Sequence, residues 1–215
     1  MVKRNGGTRL VYPSQNAPAS PRSVEIGIDE TDLSRGRTEE GYTKQMVENI
    51  LFAEAGIRFN RDETAFVFDS AGNFLLQFDG KGASVTLGNN IPKNSIITHN
   101  HPTSIGKTGF RAIGNSFSQN DILTAVQLDA KEMRAVTPTY TFSIKRPEKG
   151  WNVSITNLKR ALREADDQTF RKFNNYVYKM GHSAESIERA TVLHAHNMMK
   201  IISKKYGWDY TKKKG

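Results

Sequence analysis

Two kinds of hydrophobic spacing alternate along the chain, and the switches between them outline its elements. Between Thr38 and about Ala55, apolar Met46, Ile50, Leu51 and Ala55 recur at helical spacing, which predicts an amphipathic helix stopped by Gly56. A short strand is expected before it, at Val24 to Ile28. From Glu63 to Gly88 the period shortens. Thr64–Phe68, Phe74–Phe78 and Ala83–Leu87 read as a meander of strands, with turn chemistry at Asp69–Gly72 and Asp79–Gly80. Ser95 opens a further strand through Ile96 and Ile97 to His101, ended by Pro102, which has no amide to give to a ladder. Residues 103 to 117 are rich in Gly, Ser and Thr and read as a long loop. Helical spacing returns at Ser118 with Ile122, Leu123, Val126 and Leu128, and strands follow near Met133–Val136 and Tyr140–Ile144. Beyond Pro147 and Gly150, Ile155, Leu158, Leu162, Ala165, Phe173 and Val177 keep a helical period. Gly181 interrupts it, and Ile187, Leu193, Met198, Ile201 and Ile202 predict a second long helix.

This pattern predicts an α/β fold: a mixed, largely antiparallel sheet flanked by helices over residues 24 to 147, then a C-terminal helical hairpin over 151 to 206. With 215 residues, 37% apolar and 25% charged, the chain can bury one sizeable core. The net charge of +9 changes little, because it sits at the ends. Residues 1 to 23 carry +4 and read as a flexible basic arm; residues 204 to 215 carry another +4, and 207 to 215 read as a basic tail. Such ends are expected to be solvated, with weak nucleic-acid contact as the lesser reading. No run approaches the roughly 18 apolar residues of a membrane span, so the expectation is a soluble, cytoplasmic protein without membrane contact.

Composition narrows the chemistry. There is no cysteine, which excludes disulfides, thiolate ligands and cysteine nucleophiles and leaves His, Asp and Glu as metal donors. Side chains alternate across a strand, so His99 and His101 project to one side while Asn100 points away. Two imidazoles thus converge where a strand meets a loop. A catalytic zinc site takes three protein ligands and leaves a position for water, so a carboxylate is still required. Asp121 is the candidate, because Ser118-Gln119-Asn120-Asp121 opens a helix directly after the loop that the histidines enter. The same four residues spell a capping box, in which Ser118 and Asp121 only satisfy orphan amides, and both readings stand on spacing alone.

Thr98-His99-Asn100-His101-Pro102 followed by Ser118-x-x-Asp121 resembles the JAMM motif of JAB/MPN metalloproteases. The HNHP form is similar to the RadC-like branch and to JAB-like domains of phage and mobile-element proteins. Glu63, ahead of Thr64-Ala65-Phe66-Val67-Phe68, matches the acidic position of that family. The resemblance covers about residues 60 to 145 and implies a JAB/MPN-like domain with cytidine-deaminase-like layering. It implies His99, His101 and Asp121 as ligands of Zn2+, Glu63 as the residue handling the protons of water, and Ser118 as a donor to the oxyanion. The implied substrate is a protein or peptide, cleaved at a peptide or isopeptide bond, with a ubiquitin-like conjugate among the options. The implied setting is a bacterial or phage-infected cell, or a virion. The departure is the stretch from Thr103 to Phe117, longer than the family's spacing, which would bring Lys107 and Arg111 to the site as a gripping loop or lid. A noncatalytic JAB-like binding module and a RadC-like DNA-associated protein stay open as alternatives.

Other candidates have simpler explanations. His194 and His196 share a helix at a spacing that points them to nearly opposite sides, so they do not chelate one metal. His182 follows Gly181 in a helix break, as a cap or turn residue. Glu48 and Glu54 are expected on the solvated face of the first helix, and Trp151 and Trp208 are packing residues.

Overall fold

A computed structural model describes residues 42–102 and 114–215. The basic arm, the strand at 24 to 28, the start of the first helix, and Lys107 and Arg111 lie outside those residues. The described elements run α1 (Lys44–Ile57), β1 (Thr64–Phe68), β2 (Phe74–Asp79), β3 (Ile96–Asn100), α2 (Gln119–Gln127), β4 (Glu132–Val136), β5 (Tyr140–Lys145), α3 (Ile155–Met180), α4 (Ala184–Tyr206) and β6 (Asp209–Lys214). The strands form one six-stranded sheet in the order β2-β1-β3-β4-β5-β6. Only the β3–β4 pair is parallel; the remaining pairs are antiparallel. The expected α/β fold with a mixed, largely antiparallel sheet is what the chain adopts. Among the described residues no helix is long and apolar enough to cross a membrane.

Strand alternation divides the core into two faces. On one, α1 sets Met46 and Ile50 against Phe68 and Ile96. On the other, Val67, Ile97, Met133, Ala135, Phe142 and Ile144 meet Ile122 and Ala125 of α2, Leu158 and Leu162 of α3, and Met199 and Ile202 of α4. The core continues without a break past Pro147 and Gly150, so the last two helices share one apolar interior with the sheet. Trp151 and Trp208, which the sequence assigns to packing, meet edge to face at 4.8 Å. Their indoles donate to the carbonyls of Ala130 and Trp151, which ties the start of α3 to the end of α4.

Four expectations change. Gly56 does not stop α1, which runs through it to Ile57 with Arg58 as its C-cap. Residues 207 to 215 are not a solvated tail: Asp209–Lys214 pairs with β5 along its whole length. Lysines mask the strand signal, yet at a sheet edge exposed Lys is compatible with pairing on one side and blunts it on the other. Ala83–Leu87 is not a strand, because the preceding residues fold into a tight loop in which the Lys81 amide bonds Ser84 O. Glu54 does not face solvent. It is 1% exposed, and Arg134 reaches both of its carboxylate oxygens at 2.5 and 3.2 Å.

Arg134 also donates to the buried Glu132 at 2.8 Å, and Ser143 and Tyr42 hydroxyls complete the Glu132 shell. Thr98 donates to Glu54 at 3.0 Å. These charge-assisted bonds lock α1 onto β3 and β4, and the two carboxylates hold the Arg134 guanidinium well above its ordinary pKa despite its burial. Arg134→Met would remove the cation hydrogen-bonded to both buried carboxylates and should cost about 3–5 kcal/mol in urea unfolding. Adding Glu54→Leu and Glu132→Leu should recover most of that loss. A loss in the single variant no larger than that of a surface substitution would contradict the account.

Candidate metal centre

The site is built at the end of β3, on the face covered by α2, α3 and α4. Ala65 lies opposite His99 in the β1–β3 ladder, so Glu63, two residues before Ala65, falls on the same side of the sheet as His99 and His101. His99 Nε2 and His101 Nε2 are 2.9 Å apart. Asp121 Oδ1 stands 3.6 Å from His99 Nε2, Asp121 Oδ2 stands 3.5 Å from His101 Nε2, and Glu63 Oε1 is 3.9 Å from His99 Nε2. Glu63, His99 and His101 each present a ligand atom within 4.8 Å of the others, a group able to hold a metal ion. Of the five residues singled out from the sequence, Glu63, His99 and His101 form this group, and Asp121 approaches both imidazoles beside it.

Ser118 meets them in the second role the sequence offers. It is the N-cap of α2, its Oγ accepts the Asp121 amide at 3.2 Å, and its own amide donates to Asp121 Oδ2 at 2.6 Å. Cap and ligand are compatible, because the capping bond takes Asp121 Oδ2 and leaves Oδ1 facing His99. Asp121 is thus aimed by its helix start.

Electrostatics follow from burial and neighbours. Burial pushes the Glu63 carboxyl up, partly opposed by His99 and His101. Burial alone would lower His101, but the bond and charge of Asp121 outweigh it and hold the imidazole above its ordinary value. Burial would raise Asp121, yet His99 and His101 hold it well below the usual carboxylate range. His101 Nδ1 lies 2.9 Å from Asn115 O. A carbonyl only accepts, so Nδ1 carries a proton and, in the neutral ring, Nε2 keeps its lone pair toward the cluster.

Two supports were not visible in the sequence. Asn100, expected only to point away, is fully buried: it accepts the Thr64 amide at 2.7 Å and donates to Asn60 O and Asp62 O at 3.4 and 3.2 Å. It thereby fixes the loop that carries Glu63. Gly80 and Gly82 grip the same backbone, since Gly80 N donates to Glu63 O and Glu63 N donates to Gly82 O. A Cβ on Gly80 would fall 2.1 Å from Ser84 O, so only glycine fits there. The second support is the segment Asn115–Ser118. A cavity of about 530 Å³ opens from His101 and Ser118 toward Asp166, Glu188 and His194 of the last two helices. His194 itself bonds Asp166 at 2.9 Å and His196 bonds the Tyr210 hydroxyl at 2.8 Å, two separate partners as their spacing requires.

Comparison with known proteins finds no matching family model, curated protein or solved structure.

Asn100→Ala should strip partners from one buried amide and two carbonyls, costing about 1–3 kcal/mol. Its signature is local: hydrogen exchange at the Thr64 amide should accelerate more than at Ile97. Equal acceleration at both would mean that Asn100 contributes to general stability alone.

Proposed function

We propose that the chain is a zinc-dependent hydrolase that cleaves a peptide or isopeptide bond, with His99, His101 and Asp121 as ligands, Glu63 as general base and Ser118 as oxyanion donor. The observation that carries this reading is the ligand geometry. Ligand atoms in a tetrahedral zinc site with bonds of about 2.0–2.1 Å stand about 3.3 Å apart; the two imidazole nitrogens are 2.9 Å apart, and each meets a different oxygen of Asp121, Oδ1 at 3.6 Å from His99 and Oδ2 at 3.5 Å from His101. Glu63 at 3.9 Å is the more distant carboxylate, as befits a group that meets water. The His101–Asn115 bond is the outer-shell contact that aims a ligating imidazole.

Zinc, when bound, acts as a Lewis acid and lowers the pKa of its water to around 7. The chain's own groups account for the remaining steps. Glu63, buried and raised in pKa, takes a proton from the attacking water as its oxygen bonds to the carbonyl carbon. Ser118 Oγ already accepts the Asp121 amide, which leaves its hydroxyl proton free to donate to the developing oxyanion. Glu63 returns its proton to the leaving nitrogen as the C–N bond breaks, giving a carboxylate and an amine. The substrate enters by the cavity beside His101 and Ser118. JAB-type layering, with the last two helices as a hairpin over the site, belongs to the same reading.

Elemental analysis of the purified chain should find one zinc per molecule, lost in His99→Ala and Asp121→Ala and kept in Glu63→Ala. Zinc kept in Asp121→Ala but lost in Glu63→Ala would exchange the two carboxylate roles. Absence of zinc from the wild type after incubation with the metal would favour a noncatalytic module. On peptide and isopeptide substrates, Glu63→Gln should reduce turnover by at least about 100-fold, as expected for loss of a general base, and retain zinc. Wild-type turnover in that variant would sink the mechanism.

A further inference from the structure

Asn115–Ser118 lies outside helix and strand, yet two site residues take their orientation from it. The Asn115 carbonyl holds His101 Nδ1, and the Ser118 amide holds Asp121 Oδ2. The segment needs an anchor of its own, because no ladder fixes it. Ser116 Oγ lies 2.7 Å from the Tyr210 hydroxyl. The fully buried Phe117 ring sits between His99 and Tyr210, with centroid separations of 6.4 and 6.3 Å. Tyr210 is held in turn by the β5–β6 ladder opposite Ile144 and by His196 Nδ1 at 2.8 Å. Its hydroxyl has one proton for two partners, so either Ser116 or His196 must donate to it, and the three side chains act as one unit.

We infer that Tyr210 is a positioning residue for the metal centre: from the last strand it fixes Ser116 and Phe117, and through them the Asn115 and Ser118 contacts that aim His101 and Asp121. The inference rests on the zinc reading above. It makes β6 part of the site even though none of its residues reaches the ligand atoms. The hydroxyl remains protonated at neutral pH, since burial raises its pKa. Burial, with Lys200 and Lys212 adding to it, also holds His196 down to about 4 and therefore neutral. The anchor thus introduces no charge beside the ligands.

Tyr210→Phe removes the hydroxyl and keeps the ring against Phe117. Loss of an outer-shell partner typically weakens metal binding by about 10–100-fold. Tyr210 acts one contact further out, so the zinc dissociation constant, read by chelator competition, should rise about tenfold. The d–d absorption of the cobalt-loaded protein should change shape as well. Ser116→Ala should weaken binding in the same direction, and the double variant should be no weaker than Tyr210→Phe, because Tyr210→Phe already removes the bond to Ser116 along with that to His196. A purely structural role would lower the melting temperature and leave affinity and cobalt spectrum unaltered, which would overturn the inference. A readout without metal keeps the two proposals apart: ring nitrogen shifts of His101 report the Nδ1–H tautomer that Asn115 holds. Those shifts should move in Tyr210→Phe. If they stay at the wild-type values the positioning role is wrong, whether or not the wild type binds zinc. Failure of the wild type to bind zinc, with the shifts moved, would reject the hydrolase reading alone.

Discussion

β3 runs through the middle of the sheet with all five of its residues buried, so each polar side chain it carries must find its partners inside the protein. Thr98 and Asn100 face α1 and are answered by Glu54 and by the backbone around Glu63. His99 faces the opposite side, where Asp121 and Glu63 approach it. Much of the remaining architecture can be understood as the means of satisfying this one strand. α1 brings the carboxylate for Thr98, the loop before β1 wraps Asn100, and α2 starts where its capping aspartate can reach the histidines.

Charge is buried on both faces, and the two faces handle it differently. Beneath α1, Arg134 is enclosed by Glu54 and Glu132, and the hydroxyls of Thr98, Ser143 and Tyr42 take remaining acceptor positions. Glu54 and Glu132 are almost completely buried there. Beneath α2, two carboxylates meet two imidazoles beside an open cavity, at carboxylate-to-imidazole separations of 3.5 to 3.9 Å. The first cluster orders the sheet. The second brings potential ligand atoms of Glu63, His99 and His101 within 4.8 Å of one another beside that cavity.

The outer contacts of that second cluster come from widely separated parts of the chain. Asn100 acts from within the histidine motif, Gly80 and Gly82 from the meander, and Asn115 from beyond the long loop. Tyr210 and His196 add the C-terminal strand and α4. Ligand-type residues confined to about sixty positions are therefore aimed by nearly the whole described chain, and the last two helices and β6 complete the enclosure.

Features with local signals are legible in the amino-acid order. Strand alternation put His99 and His101 on one side, helical spacing placed α1 to α4, and Ser118-x-x-Asp121 announced both a cap and a carboxylate near the loop end. Glu63 is marked only by the motif it resembles, since nothing in its own stretch of sequence distinguishes it from the chain's other acids. Tertiary structure alone decided what each polar residue meets. Glu54 looked solvated because a single helix cannot show that Arg134 waits on β4, and 207 to 215 looked like a tail because its lysines hide a ladder that exists only once β5 is beside it. Asn100, Ser116 and Tyr210 carried no signal, for a related reason. Their importance lies in hydrogen bonds to residues 36 and 94 positions away, and contacts of that range leave no periodicity in the chain that makes them.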